Sequence, residues 1–276
     1  MDIPDIVARL DDRTARRIYN GPHPTNRASE AGHPCERYLV LARLHPEMKA
    51  LHDLGLQRIF DEGRLHETAL LRELEEAGFE LAEQQRAFTW PKFQLTGHVD
   101  AMIGVNGAGL PLEIKSVSPH LFESVKAMAP ADFLEARQVW LRKYPAQVLL
   151  YCLMAGKDTG LMLLKNKSTG EKCLKVFRLY EDGFLEYTEG ILKKLERVNA
   201  WVEKGEAPPP TPCDECRGCG FEKTVCFPGR DYGPGYDLLA DPELTEQLER
   251  WAELRPVAQE YEALDKSIKE KVKGLS

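Results

Sequence analysis

The chain has 276 residues, 43% of them hydrophobic and 29% charged, and a net charge of −7. That length accommodates one large domain or two small ones, and the balance is that of a soluble globular protein, with no apolar run long enough to span a membrane. The acidic sum argues mildly against nucleic-acid binding over the surface at large, while leaving local patches open.

The first residues, MDIPDIVARLDDRTARRIYN, contain no apolar signal core, so a cytoplasmic location is expected. Residues 3–18 read as a short amphipathic helix, residues 21–34 as a Gly- and Pro-rich loop, and CERYLVLARL as a second helix beginning near Cys35. Residues 54–77 give the strongest helical pattern. Ile59, Gly63, His66, Leu70 and Leu74 recur at three- and four-residue steps and define an inward stripe. Residues 79–90 read as a strand. SPHLFESVKAM and DFLEARQVWLRK read as amphipathic helices, and PAQVLLYCLMAGK as a helix with Pro145 in its first turn. Residues 159–168 and 171–179 alternate as two strands about Thr169-Gly170, and residues 182–204 form a further helix. From Asp241 onward the pattern is helical, with nine acidic and six basic residues.

The chemistry concentrates in LTGHVDAMIGVNGAGLPLEIKS, residues 95–116. Two apolar runs flank a glycine-rich turn at Val105-Asn106-Gly107. Side chains alternate along a strand, so Glu113 and Lys115 share one face and Ile114 takes the other. Asp100 ends the first run within reach of them. Two carboxylates and a lysine on a rigid edge outline a metal-assisted hydrolysis site; an exposed charged strand face is the alternative. His66, on the inward face of its helix, reads either as a hydrogen-bonded core histidine or as a ligand.

The order His66, Asp100, Glu113-Ile114-Lys115, Gln147-Val148-Leu149-Leu150-Tyr151 resembles the RecB-like branch of the PD-(D/E)XK nuclease superfamily. The resemblance covers residues 27–230, with Val99 standing where the superfamily name has proline. It implies an α/β fold with a mixed central sheet flanked by helices, and hydrolysis of DNA phosphodiester bonds. Asp100, Glu113, the Ile114 carbonyl and His66 would hold Mg²⁺ or Mn²⁺, since hard cations take oxygen donors and imidazole tilts the preference towards Mn²⁺. Lys115 would position the attacking water or stabilise developing charge. Gln147 and Tyr151, four residues apart on one helix face, would orient Lys115 or the DNA backbone. Lys165 and Lys167 would touch phosphate; Arg27, Arg37 and the Arg13–Arg17 group are weaker candidates that a solvated charged face explains equally well.

Four of the seven cysteines, Cys213, Cys216, Cys219 and Cys226, crowd into fourteen residues, a metal-ligating pattern. Four contiguous thiolates would suit zinc; an iron–sulfur cluster takes four that need not be contiguous. Nucleases of the AddB type and CRISPR-associated relatives carry a [4Fe–4S] cluster on one isolated N-terminal cysteine and a C-terminal triplet. By that resemblance Cys35 is the isolated ligand and Cys216, Cys219 and Cys226 the triplet, with one extra residue before the last and Cys213 as an alternative ligand.

The expectation is therefore one nuclease domain over residues 1–230, with a helical periphery stapled by iron–sulfur, followed by a helical tail over 231–276. The activity expected is that of a Mg²⁺- or Mn²⁺-dependent exonuclease on single-stranded or end-containing DNA, working in recombination, repair, phage DNA processing or CRISPR adaptation. A recombination or CRISPR-adaptation protein partner is implied, in a bacterial, archaeal or phage-infected cell. The alternative is a non-catalytic DNA-end-binding or scaffold subunit that keeps the fold.

Overall fold

The computed structural model describes residues 5–136, 138–229 and 242–273. The chain divides into two compact units, Met1–Pro228 and Gly229–Ser276. In chain order the first unit holds α1 (Ile6–Ala15), β1 (Asn26–Arg27), α2 (Ala28–Ala31), α3 (Glu36–Leu44), α4 (Leu54–Glu76), β2 (Leu81–Ala82), β3 (Arg86–Trp90), β4 (Leu95–Val99), β5 (Ala101–Val105) and β6 (Ala108–Val117). It continues with α5 (Pro119–Ala127), α6 (Tyr144–Ala155), β7 (Thr159–Asn166), β8 (Lys172–Arg178) and α7 (Phe184–Lys204). Among the described residues the second unit contributes one helix, α8 (Pro242–Lys273). Among the described residues no helix is long and apolar enough to cross a membrane.

The strands form a mixed five-stranded sheet, β2-β5-β6-β7-β8, and a three-stranded sheet, β1-β4-β3. The five-stranded sheet is built on the β5–β6 hairpin. Asn106 and Gly107 both have positive φ, 50° and 80°, the backbone that an Asn-Gly hairpin turn requires. β6 runs parallel to β7, joined by a crossover that contains α5 and α6, while β7 and β8 pair antiparallel. α6 starts with Pro145 in its first turn, where a missing N–H costs nothing, and stops at the left-handed Gly156.

Both faces of this sheet are covered by helices. Leu70 and Leu71 of α4 pack on Ala101, Ile103, Leu112, Ile114, Leu161 and Leu163. On the other face Val148 and Leu149 of α6 join Val117, Phe122, Met162, Leu164 and Phe177. The alternation of β6 and β7 is thus fixed by two separate cores, and a one-residue slip would invert both.

Five sequence expectations change. Residues 79–90 are two strands, not one: Glu83 and Gln85 turn at positive φ, so β2 joins the five-stranded sheet and β3 the three-stranded one. The run ending at Asp100 continues beyond it, because the chain bends there and passes from β4 in one sheet to β5 in the other. Residues 132–143 do not form an α-helix; two 3-10 turns, Ala131–Glu135 and Val139–Lys143, bury Phe133 and Leu141 separately. The stretch 21–34 contains β1 and α2, since Asn26 and Arg27 pair parallel with Leu95 and Thr96. The inward stripe of α4 also shortens. Leu70 is buried, but Ile59 is 53% exposed, because the first half of α4 lies off the sheet, against α1 through the Arg17–Asp61 and Arg58–Asp11 ion pairs and against His52.

Candidate active-site cleft and a cysteine-lined pocket

Asp100 stands at the corner between the two sheets, where the strand end frees its side chain. Its Oδ2 accepts from the Ile114 N–H at 2.6 Å, which docks it beside Glu113 on the neighbouring strand. Glu113 and Lys115 emerge on the face covered by α6 and are ion-paired with each other, while Ile114 points into the core beneath α4. The Lys115 ammonium also lies over the Tyr144 ring, 5.4 Å from its centroid, a cation–π contact that the sequence reading did not include.

The cleft over these residues has a volume of about 460 Å³, and Gln147 and Tyr151 of α6 line it together with Asp100, Glu113 and Lys115. Gln147 donates to the Tyr151 hydroxyl at 3.4 Å, and that hydroxyl donates to the His98 carbonyl at 2.7 Å. Their hydrogen bonds therefore run to β4, two residues before Asp100, and not to Lys115. Gly97 makes this fit possible. A Cβ there would meet both Ala28 Cβ and the Tyr151 ring at 2.8 Å.

The electrostatics are those of a site short of positive charge. Burial raises the pKa of Asp100, partly opposed by the Lys115 charge and the Ile114 N–H. Burial likewise pushes Glu113 well above the usual carboxylate range, with Lys115 pulling it back and Asp100 adding to the rise. Burial works to lower Lys115, but Glu113 overrides it and keeps the ammonium firmly protonated. A third carboxylate stands at the corner: Glu67 of α4 accepts from Gln85 at 2.6 Å, and its pKa is raised by burial and by Asp100. Gln85 in turn lies 3.5 Å from Asp100 Oδ1 and donates its backbone N–H to the Asp100 carbonyl. Glu67 and Gln85 were missed by sequence reasoning. Glu67 is adjacent to His66, and only the positive-φ turn at Glu83 and Gln85 brings this corner together.

The donor set fits a hard divalent cation. Glu113 Oε2 is buried without a hydrogen-bond partner, and it faces a neighbourhood with more carboxylates than cations. Among the described residues no three His, Cys, Asp or Glu side chains already stand in ligating geometry. His66 is half-buried on α4, makes no hydrogen bond among the described residues and does not line the cleft.

The sequence-chosen phosphate contacts lie elsewhere. Lys165 is on the β7 face that packs under α4, opposite to Glu113 and Lys115; it is 8% exposed and paired with Glu73 at 2.9 Å. Lys167 follows the strand, half-buried, with its N–H bonded to the Val117 carbonyl, and lies outside the cleft lining. Arg37 donates to Cys226 Sγ at 3.2 Å and to the Pro208 carbonyl. The sequence pattern gives a strand's alternation but not which helix covers which face, so it could not separate Lys165 from Lys115.

Cys35, Cys213, Cys216, Cys219 and Cys226 line one small pocket. Cys35 is the N-cap of α3, and its Sγ accepts from the Tyr38 N–H at 3.4 Å. Successive backbone turns, Cys216 N–H to Cys213 O and Cys219 N–H to Cys216 O, fold the C-x2-C-x2-C run. Cys35 lies within electrostatic reach of Cys219 and Cys216, and Cys219 within reach of Cys226, whereas Cys213 meets Cys216 with sulfurs 3.7 Å apart. N–H donors to sulfur suit thiolates that bind a metal. Glu215 Oε1 and Glu222 Oε1 are buried there without partners. His33, stacked on Tyr38 at 4.1 Å, completes the wall; burial, then the Lys143 and Lys194 charges, lower its pKa to about 3.

No protein-family model and no curated protein matches the chain. Among solved structures it is similar to SSO0001, with 13% identity over 81% of this chain and 96% of that one, at a TM-score of 0.47. It is also similar to LHK-Exo, an alkaline exonuclease from Laribacter hongkongensis, with 15% identity over 70% of this chain and 95% of that one, at a TM-score of 0.42. LHK-Exo in complex with dAMP gives 14% identity over 65% and 90% of the two chains, at a TM-score of 0.42.

Proposed function

We propose that the cleft is the active site of a Mg²⁺- or Mn²⁺-dependent deoxyribonuclease. The observation that carries this reading is the docking of Asp100 onto the Ile114 N–H beside the buried, partnerless Glu113 Oε2, with Lys115 on the same face. Asp100, Glu113 and the Ile114 carbonyl would hold the cation; His66, the further ligand implied by the motif order, stands on α4 outside the cleft lining. The chemistry supplied by a bound divalent cation is polarisation of the phosphodiester and a lower pKa for the attacking water. Lys115 keeps its proton in this setting, so it acts as a fixed positive charge for the oxyanion that develops on phosphorus. Gln147 and Tyr151 act one step removed, holding β4 so that Asp100 meets β6. The resemblance in motif order to RecB-like nucleases supports exonucleolytic action on single-stranded or end-containing DNA, in recombination, repair, phage DNA processing or CRISPR adaptation.

The cysteine pocket would hold a [4Fe–4S] cluster on Cys35, Cys216, Cys219 and Cys226, the set that the resemblance implies and that shares one pocket. Cys213 is the alternative to one of them, and zinc the alternative metal. Such a cluster is structural in this reading, closing the long stretch of chain between α3 and Cys226. Iron and acid-labile sulfide analysis with visible absorption tests it, and one zinc with no iron would overturn it. For the cleft, hydrolysis of labelled DNA with Mg²⁺ or Mn²⁺ is compared among wild type, Lys115→Ala and Asp100→Ala. Equal loss of DNA in all three would sink the nuclease reading.

A further inference from the structure

Lys165 and Arg37 are engaged inside the protein, and Lys167 lies outside the cleft, so a polyanion entering it needs another cation. The residues lining the cleft include two, Lys115 and Arg27, and Lys115 is committed to Glu113. Arg27 is exposed, and among the described residues it has no carboxylate partner; its hydrogen-bond contact is with His23, Nη1 to Nε2 at 3.3 Å.

Its backbone is well held. Asn26 is buried, donating to the Phe93 carbonyl at 2.8 Å and to Asn199 Oδ1 at 2.9 Å, and β1 is zipped to β4 with Arg27 opposite Thr96. Alternation along β1 therefore turns Asn26 inward and Arg27 outward into the cleft. Thr25, whose hydroxyl meets that of Thr96 at 2.8 Å, and Ser29 put hydroxyl groups on the same wall. His23 contacts the guanidinium through Nε2, which must accept, so the imidazole is neutral and serves to aim it. Burial, then the Arg27 charge, lower the His23 pKa, in keeping with that role.

We propose that Arg27, positioned by His23, grips a backbone phosphate of the bound polynucleotide next to the phosphodiester over Asp100 and Glu113. A cation opposite a carboxylate-rich floor offsets the repulsion that the floor exerts on nucleic acid, and a guanidinium suits phosphate because it can donate two parallel hydrogen bonds. The inference rests on reading the cleft as a DNA-hydrolysing site, so its test separates binding from cleavage.

Binding of a fluorescein-labelled single-stranded oligodeoxynucleotide is followed by anisotropy across a salt series, with Ca²⁺ replacing Mg²⁺, for wild type, Arg27→Ala, Arg27→Lys and His23→Ala. Arg27→Ala should raise Kd roughly tenfold, the worth of one charge-assisted hydrogen-bonded contact. It should also lower the slope of log K against log salt by about 0.7, one phosphate's share on a single strand. Arg27→Lys should keep the slope and bind more weakly than wild type, and His23→Ala should keep the slope with a smaller rise in Kd. In Mg²⁺, Arg27→Ala should raise KM and leave kcat near wild type. An unchanged salt slope in Arg27→Ala overturns the proposal whether or not Kd moves, and so does absence of DNA binding by wild type. Failure of the nuclease reading has a different signature: wild type binds with an Arg27-dependent slope and cuts nothing.

Discussion

The cleft and the cysteine pocket both gather chemistry-bearing residues from distant parts of the chain, but they are held in opposite ways. Asp100, Glu113 and Lys115 sit on paired strands whose apolar neighbours fill two cores, so their positions are set before any ligand arrives. The cysteine run has no such frame. From Gly205 to Gly229 only Phe221 and Glu222 are buried, and the local apolar cluster is Leu41, Ala42 and Phe221 with a few half-buried neighbours. The cleft is preorganised by the fold, whereas the pocket has little apolar packing to hold it in place.

The largest expected effect follows from that contrast. Removing the proposed metal centre by chelation, or replacing Cys219 with Ser, should cost roughly 4–5 kcal/mol, the scale on which cross-linking restrains a loop of a hundred residues or more. Hydrogen exchange locates the damage: residues 207–228 should lose protection while the amides of β5, β6 and β7 keep theirs. Equal loss in both regions would break the distinction. Next in size is Lys115→Ala, which should lower DNA hydrolysis by about 10²–10³, the effect of removing one preorganised electrostatic group, while residues 207–228 exchange as in wild type.

The two regions also respond oppositely to pH in metal-free protein. His33 has its folded pKa lowered to about 3 by burial and the Lys143 and Lys194 charges, so the unfolded chain binds the extra proton first. Its contribution is present above the unfolded histidine value, near 6.5, and is lost on acidification towards the folded one. Glu113 is raised by burial, so its contribution is present below the ordinary carboxylate value and lost as pH rises. Between the two unfolded values these slopes oppose each other, each at most about 1.4 kcal/mol per pH unit. Glu113→Gln should therefore abolish hydrolysis, raise the melting temperature of the metal-free protein at neutral pH, and unmask a stability that climbs with pH through the mildly acidic range. Denaturant midpoints at several pH values check this, and a flat profile in the variant would contradict the assignment to His33.

Much of this arrangement was legible in the sequence because it is local and periodic. Asn106-Gly107 announces the hairpin, the alternation of Glu113, Ile114 and Lys115 assigns faces, and Pro145 and Gly156 bracket α6. What was not legible is the outcome of long-range packing. The corner at Asp100 arises because β4 and β5 join different sheets, and that corner brings Glu67 and Gln85 to the carboxylates. Lys165 looked like a companion of Lys115, yet the covering helix on its side is α4, where Glu73 claims it. Ile59 fits a helical stripe, but a stripe predicts burial only where another element lies against it. The cysteine spacing was plain, whereas the meeting of Cys35 with the C-terminal run came from the family resemblance and not from any local pattern.

The smallest effect is the sharpest on the role of α6. The Tyr151 hydroxyl, in a side chain that is 2% exposed, gives its hydrogen bond to the His98 carbonyl, so Tyr151→Phe removes that bond and should cost about 1 kcal/mol of stability. That bond tethers β4 two residues ahead of Asp100, and loosening it lets the carboxylate drift from the Ile114 N–H. The expected kinetic consequence is a fall in kcat of roughly tenfold, because a modest misplacement of a catalytic group is felt in the reacting geometry. KM should stay near wild type, since the hydroxyl donates into the protein. A Tyr151→Phe enzyme with normal kcat and a raised KM would instead put the hydroxyl on the DNA backbone, and the cleft would then have a second wall that reads phosphate opposite Arg27.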